Sequence, residues 1–266
     1  MDQTLKSFPI SLKSVDPQKD IELINQYSTK ELTPDGVFCF SVILCDNEID
    51  RDLERFPVPT LERLAPMFVG KTGISDHDWS ARRQIARLYR VEVEKTDKLN
   101  SFGEALVVLR GSAYMVRNNY TASLIQAIEG GIMKEVSVGV SVGRSACSVC
   151  GSEMTFNFDT WQRVCEKGHI KGQEYDGRLC VEELLDPTDA YEFSFVAVPA
   201  QRGAGVVKSR DDIREAIEAV LGADLDEHRD ELLKLLPKVK AAMLSADESA
   251  KRTEILKENE KFRKEK

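Results

Sequence analysis

Valine occupies every second position from Val136 to Val142, and the positions between hold only Ser137, Gly139 and Ser141. Side chains alternate faces along a strand, so this pattern predicts one valine-striped face and one nearly bare face. Upstream, Val37 to Cys45 is a near-continuous apolar run bounded by Pro34-Asp35-Gly36 and Asp46-Asn47, which reads as a buried strand. Leu61, Leu64, Ala65 and Phe68 are spaced for one face of a short helix, with Thr60 as the expected N-cap. Ile85 to Glu94 and Phe102 to Leu109 read as two strands joined by a polar hairpin over Lys95 to Ser101. Met115, Leu124, Ile125 and Ile128 predict a helix over Tyr114 to Ile128, closed by Gly130-Gly131. Strand character returns at Arg178 to Leu185 and at Tyr191 to Val198.

These elements divide the chain. Residues 1–34 are polar and punctuated by prolines, an arm with one short helix expected over Asp20 to Tyr27. Residues 35–208 hold the strand-rich domain, interrupted at 145–172 by a cysteine-rich insert. Residues 209–266 form a charged helical tail whose apolar stripes suit docking onto other subunits or self-association. The layout is α+β.

Composition narrows the chemistry. At 266 residues with a net charge of -8, the chain is long enough for a sizeable core and lacks broad attraction to nucleic acid or anionic membrane. No apolar run is long enough to span a bilayer, and MDQTLKSFPISLK has no secretory core, so the expected location is the cytoplasm of the producing cell. Six cysteines in such a protein point to metal before disulfides.

Cys147 and Cys150 form one corner, fourteen residues follow, and Cys165 with His169 forms a second. Two such corners joined by a strand-like stretch from Thr155 to Val164 resemble a zinc ribbon. Four protein ligands leave no open position for water, so the expected role is structural. Cys180 is the alternative fourth ligand, although its flanks Leu179 and Val181 suit the core. The ribbon sets Arg163, Lys167 and Lys171 against Glu153, Asp159, Glu166 and Glu174, a poor balance for gripping nucleic acid.

A serine needs a base to become a nucleophile. Of the three histidines, His228 lies in the tail and His169 in the ribbon, leaving His77 between Asp76 and Asp78. In Tyr191-Glu192-Phe193-Ser194-Phe195, Glu192 and Ser194 share the face opposite the aromatic residues. A carboxylate in such a strand is costly to bury without a partner, and orienting an imidazole is one such partnership.

His77-Asp78, the serine-bearing strand at Val136-Ser137-Val138-Gly139-Val140, and Glu192-Phe193-Ser194-Phe195-Val196 with Pro199-Ala200 resemble the three ordered motifs of the tailed-phage prohead proteases. These are the phage relatives of herpesvirus assemblin. The resemblance covers about residues 35–208. It implies a mostly antiparallel, β-barrel-like core flanked by helices, with Ser137 as nucleophile and His77 as general base. The third member it implies is Glu192, with Ser194 and Asp78 as rivals. The sequence does not locate the oxyanion donors; backbone amides near Gly139 and the Arg202 side chain are candidates. The resemblance further implies cleavage of phage scaffold and major capsid protein inside assembling procapsids in the host cell. The inserted ribbon departs from the family pattern. Two other readings stand beside it: a zinc-ribbon binding module, and a head-morphogenesis protein that keeps the fold without cleaving.

Overall fold

The computed structural model describes residues 17–207; the charged helical tail expected over 209–266 lies outside the described residues. From the N-terminal side, α1 (Pro17–Asn25) lays Ile24 against Val37, Tyr89 and Tyr114. Its Asp20 accepts hydrogen bonds from Tyr89 Oη at 2.8 Å and from Arg90, so this part of the arm is docked on the core. Then come β1 (Val37–Asp46), β2 (Glu54–Arg55), α2 (Val58–Phe68) and β3 (Thr72–Ser75). A long hairpin of β4 (Ala86–Leu99) and β5 (Ala105–Val116) leads through α3 (Ala122–Glu129) to β6 (Val136–Cys147). The insert carries two small hairpins, β7 (Met154–Asn157) with β8 (Gln162–Cys165) and β9 (Glu174–Tyr175) with β10 (Arg178–Leu179). The chain returns as β11 (Glu182–Phe195) and ends in β12 (Gly205–Val207).

The main sheet runs β12-β1-β5-β4-β3-β11-β2, with β6 on β11. Its ladders are antiparallel except where β3 and β2 run parallel to β11. The coarse α+β expectation therefore holds. The sheet is open, however, and no continuous ladder closes it into a barrel among the described residues. β12 is only three residues long, and a single bridge, Glu135 to Gly205, reaches the flank of β6.

Apolar patterning located β1 because strands pair on both its sides and its faces are covered, which makes the run nearly continuous. It misplaced other boundaries. Thr60 is not an N-cap: α2 starts two residues earlier, behind Pro57, and the Thr60 hydroxyl donates to the Leu184 carbonyl of β11 at 2.9 Å. Tyr114 and Met115 belong to β5, so the helix before Gly130 is short. The two strands expected around Arg178–Leu185 and Tyr191–Val198 are largely one, β11. Register shifts at Pro187/Asp189 and Ala190/Glu192 absorb the irregularity, and a bulge tolerates a proline.

α2 packs along β11, with Thr60 on the Leu184 carbonyl and Arg63 on Asp186. Leu61, Leu64 and Phe68 are fully buried there, and across the sheet Phe193 packs so close to Gly73 that a Cβ would meet its ring at 2.4 Å. Phe68→Ala should lower stability by about 3–5 kcal/mol, from lost transfer energy plus a cavity. Denaturant unfolding checks this: the midpoint should fall with an unchanged slope.

Candidate active site and metal cluster

Glu192 sits on β11 between apolar neighbours, 2% exposed, and both of its oxygens are engaged. His77 Nδ1 lies 2.8 Å from Oε1, and since a carboxylate only accepts, Nδ1 carries the proton and Nε2 is left as the acceptor. Ser194 Oγ donates to Oε2 at 2.7 Å. The same hydroxyl accepts the His77 backbone N–H at 3.1 Å, so one serine holds the carboxylate and the backbone of its partner. Asp76 and His77 both have positive φ, near 54° and 53°, a region costly for residues with a Cβ. The turn is held by Asp76 N to Phe195 O at 3.0 Å and Asp78 N to Ser75 O at 3.0 Å.

β6 runs antiparallel beside this strand, with Ser137 opposite Ser194 and Gly139 opposite Glu192. Residues paired across a ladder share a face, so the hydroxyl of Ser137 and the gap at Gly139 lie over the carboxylate. The gap is required: a Cβ at Gly139 would stand 2.6 Å from Glu192 Oε1. Ser137, Gly139, His77 and Glu192 line one cleft of about 580 Å³. That size accommodates a few side chains of a bound segment. Ser137 Oγ makes no hydrogen bond to His77 in this structure, whereas His77, Glu192 and Ser194 are in direct contact.

The rivals separate clearly. Asp78 turns away, accepting from Ser80 N at 3.1 Å and from Arg83 Nε at 3.1 Å. Arg202 is exposed and is not among the residues that line the cleft, whereas its neighbour Gln201 is buried there, bridging the Asp46 backbone.

The opposite wall was missed by sequence reasoning. Asp50, Asp52 and Glu54 line the cleft together with Trp79, whose ring lies tilted against Tyr191 with centroids 5.3 Å apart. In the sequence Asp50 to Glu54 looks like a solvated turn, and no periodicity marks it. Asp50 Oδ1 accepts from the backbone of Asp52 at 2.9 Å and of Glu54 at 2.8 Å. Burial nevertheless pushes its carboxyl up, to about 6.

In the insert, the ligand atoms of Cys147, Cys150, Cys165 and His169 all lie within 4.8 Å of one another, a set that could hold a metal ion. Cys150 and Cys165 Sγ are 3.6 Å apart, and His169 Nδ1 stands 3.6 Å from Cys147 Sγ and 3.5 Å from Cys165 Sγ. Burial would raise the Cys150 thiol, but hydrogen bonds from Ser152, His169 and Cys165 bring it down to about 6. Cys180 Sγ lies 3.6 Å from Cys147 Sγ, yet burial and that neighbour push its thiol up to about 12. The set whose ligand atoms all lie within 4.8 Å of one another takes His169 as its fourth member and leaves Cys180 out.

No protein-family model, curated protein or solved structure matches this chain. Among the described residues, no helix is long and apolar enough to cross a membrane.

The Asp50 carboxyl supplies a pH test. Its folded value of about 6 lies above its ordinary 3.8, so the folded chain keeps a proton that the unfolded chain has released. Its contribution to stability therefore declines as pH rises through that window. Asp50→Asn keeps the Oδ1 acceptor and should remove this decline, leaving a flatter melting temperature between pH 4 and 6. An identical slope in variant and parent would show that Asp50 is not the group responsible.

Proposed function

We propose that the chain is a serine endopeptidase of the prohead-protease type, with Ser137 as nucleophile, His77 as general base and Glu192 as the carboxylate that orients the imidazole. The observation that carries this reading is the contact of His77 Nδ1 with buried Glu192 in a cleft also lined by Ser137. Three short motifs, far apart in sequence, each contribute one residue of the proposed triad to that cleft.

The chemistry follows from the proton positions. Glu192 holds the proton on Nδ1, so Nε2 is free to take the Ser137 proton as Oγ attacks the scissile carbonyl. The imidazolium then gives that proton to the departing amine, and an acyl-Ser137 ester remains. Water gives a proton to the same nitrogen and attacks the ester, and the new carboxyl end departs as the imidazolium returns that proton to Ser137 Oγ. Ser194 keeps Glu192 fixed throughout, and closing the cleft over a bound segment brings Oγ within reach of Nε2. Serine and base are often further apart before substrate binds.

The substrates of this reading are phage scaffold and the major capsid protein, met inside an assembling procapsid in the host cell. Apart from His77, the titratable side chains lining the cleft are carboxylates, which favours a segment carrying Lys or Arg. The Glu135–Gly205 bridge and Val206 N to Lys134 O at 2.7 Å bring β12 to the start of β6, which supports the barrel-like core that the resemblance implies, although no continuous ladder closes the sheet.

For the insert we propose a structural zinc. Bond lengths of roughly 2.3 Å to sulfur and 2.0 Å to nitrogen require tetrahedral edges of about 3.8 Å between sulfurs and 3.6 Å between sulfur and nitrogen. The separations of 3.5–3.6 Å in the cluster fit that frame. Cys147, Cys150, Cys165 and His169 would hold the ion, whose role is to fold the insert.

A second reading, a head-morphogenesis protein that does not cleave, draws on the missing hydrogen bond between Ser137 and His77. Co-expression with the capsid or scaffold protein separates the two. Shortened products should appear with the parent chain, vanish with Ser137→Ala, and fall by about 10²–10⁴ in rate with Glu192→Gln. Persistence of the products in Ser137→Ala would remove the nucleophile assignment, and their absence with the parent would favour the second reading.

A further inference from the structure

The insert touches the cleft wall through a row of three strands. Cys147 at the end of β6 is the register partner of Glu182, and Glu182 is in turn the register partner of Glu54 on β2. A metal ligand, a buried carboxylate and a carboxylate of the cleft wall thus stand side by side. Glu182 is 2% exposed, and a carboxylate so deep needs charged partners.

Both partners come from the insert, and each lies two residues from a metal ligand. Arg163, two before Cys165, donates from Nε to Glu182 Oε2 at 3.0 Å and also from its terminal nitrogen. Lys171, two after His169, reaches Glu182 Oε2 at 3.1 Å and Glu54 Oε1 at 2.7 Å. The backbone supports the same junction. Lys171 N donates to Arg163 O at 3.0 Å, Gly172 N to Cys180 O at 2.8 Å, and Glu182 N to Leu53 O at 3.0 Å. Glu54 in turn belongs to the turn that Asp50 Oδ1 ties together, and Asp50, Asp52 and Glu54 line the cleft.

We propose that the metal-bound insert is the buttress of the acidic cleft wall, with Lys171 as a positioning residue that fixes Glu54 and through it the turn at 50–54. This inference rests on the peptidase and zinc readings above. Metal holds His169, His169 sets the start of the Lys171 segment, and Lys171 sets the wall against which substrate lies. The insert acts on substrate binding, since the His77–Glu192 pair lies at the far end of β11.

The test is hydrogen exchange read by mass spectrometry on the full chain, with zinc counted per chain by elemental analysis. Parent loaded with zinc, parent after chelation, and zinc-loaded Lys171→Met, Lys171→Arg and Glu54→Gln are compared. Lys171→Met and Glu54→Gln should keep about one zinc while amides of 50–55 exchange about tenfold faster, with β1 and α2 unchanged. Lys171→Arg should restore protection, and chelation should reproduce the loss. On a peptide substrate Lys171→Met should raise KM about fivefold and leave kcat within twofold.

Parental exchange at 50–55 in both Lys171→Met and Glu54→Gln would overturn the proposal, as would an unchanged turn after zinc is removed. A fall in kcat at constant KM would overturn it too. Failure of the peptidase reading shows separately, as no turnover by the parent with the exchange pattern intact. Failure of the zinc reading shows as a parent that binds none.

Discussion

Burying the Glu192 carboxylate inside an apolar strand is the constraint on which the site depends. An unpaired charge at that depth would cost several kcal/mol, so each oxygen needs a donor with good geometry. His77 Nδ1 and Ser194 Oγ are those donors: Ser194 stands two residues along the same strand, and His77 is brought to it by a backbone arrangement that is itself unfavourable. The left-handed turn at Asp76–His77 aims the imidazole at the strand, and the bare position at Gly139 leaves room for the carboxylate. Strain in the turn is offset by the hydrogen bonds that the buried charge receives. The same arrangement leaves Nε2 as an acceptor facing the cleft, which is what a general base requires.

Much of this was legible because the chemistry uses rare residues in distinctive patterns. Three histidines limited the choice of base, and the alternation of Val136–Val142 marked a strand whose bare face could meet another group. The two cysteine corners announced the metal cluster by spacing alone, and the structure gathers all four predicted ligands. What stayed hidden was non-local. Nothing near Asp50–Glu54 says that a turn of acidic residues walls the cleft, since its position depends on β2 pairing with β11 far along the chain. The helix expected over Tyr114 to Ile128 takes in Tyr114 and Met115, yet both lie in β5, where pairing with β1 and β4 decides their conformation.

The insert is tied into the sheet that it interrupts. It leaves the sheet at Cys147 and returns at Glu182, two residues that pair with each other, so the excursion starts and ends on one rung. A closed excursion of this kind leaves the neighbouring ladder intact and lets its own charges meet the buried Glu182. The cations that meet that carboxylate, Arg163 and Lys171, each stand two residues from a candidate metal ligand.

Activation of Ser137 by His77 can be read by covalent labelling with a fluorophosphonate, which reacts with base-activated serines. Peptide mapping should find the adduct on Ser137 in the parent chain and none in His77→Ala. An adduct on another serine, or undiminished labelling of Ser137 without His77, would contradict it.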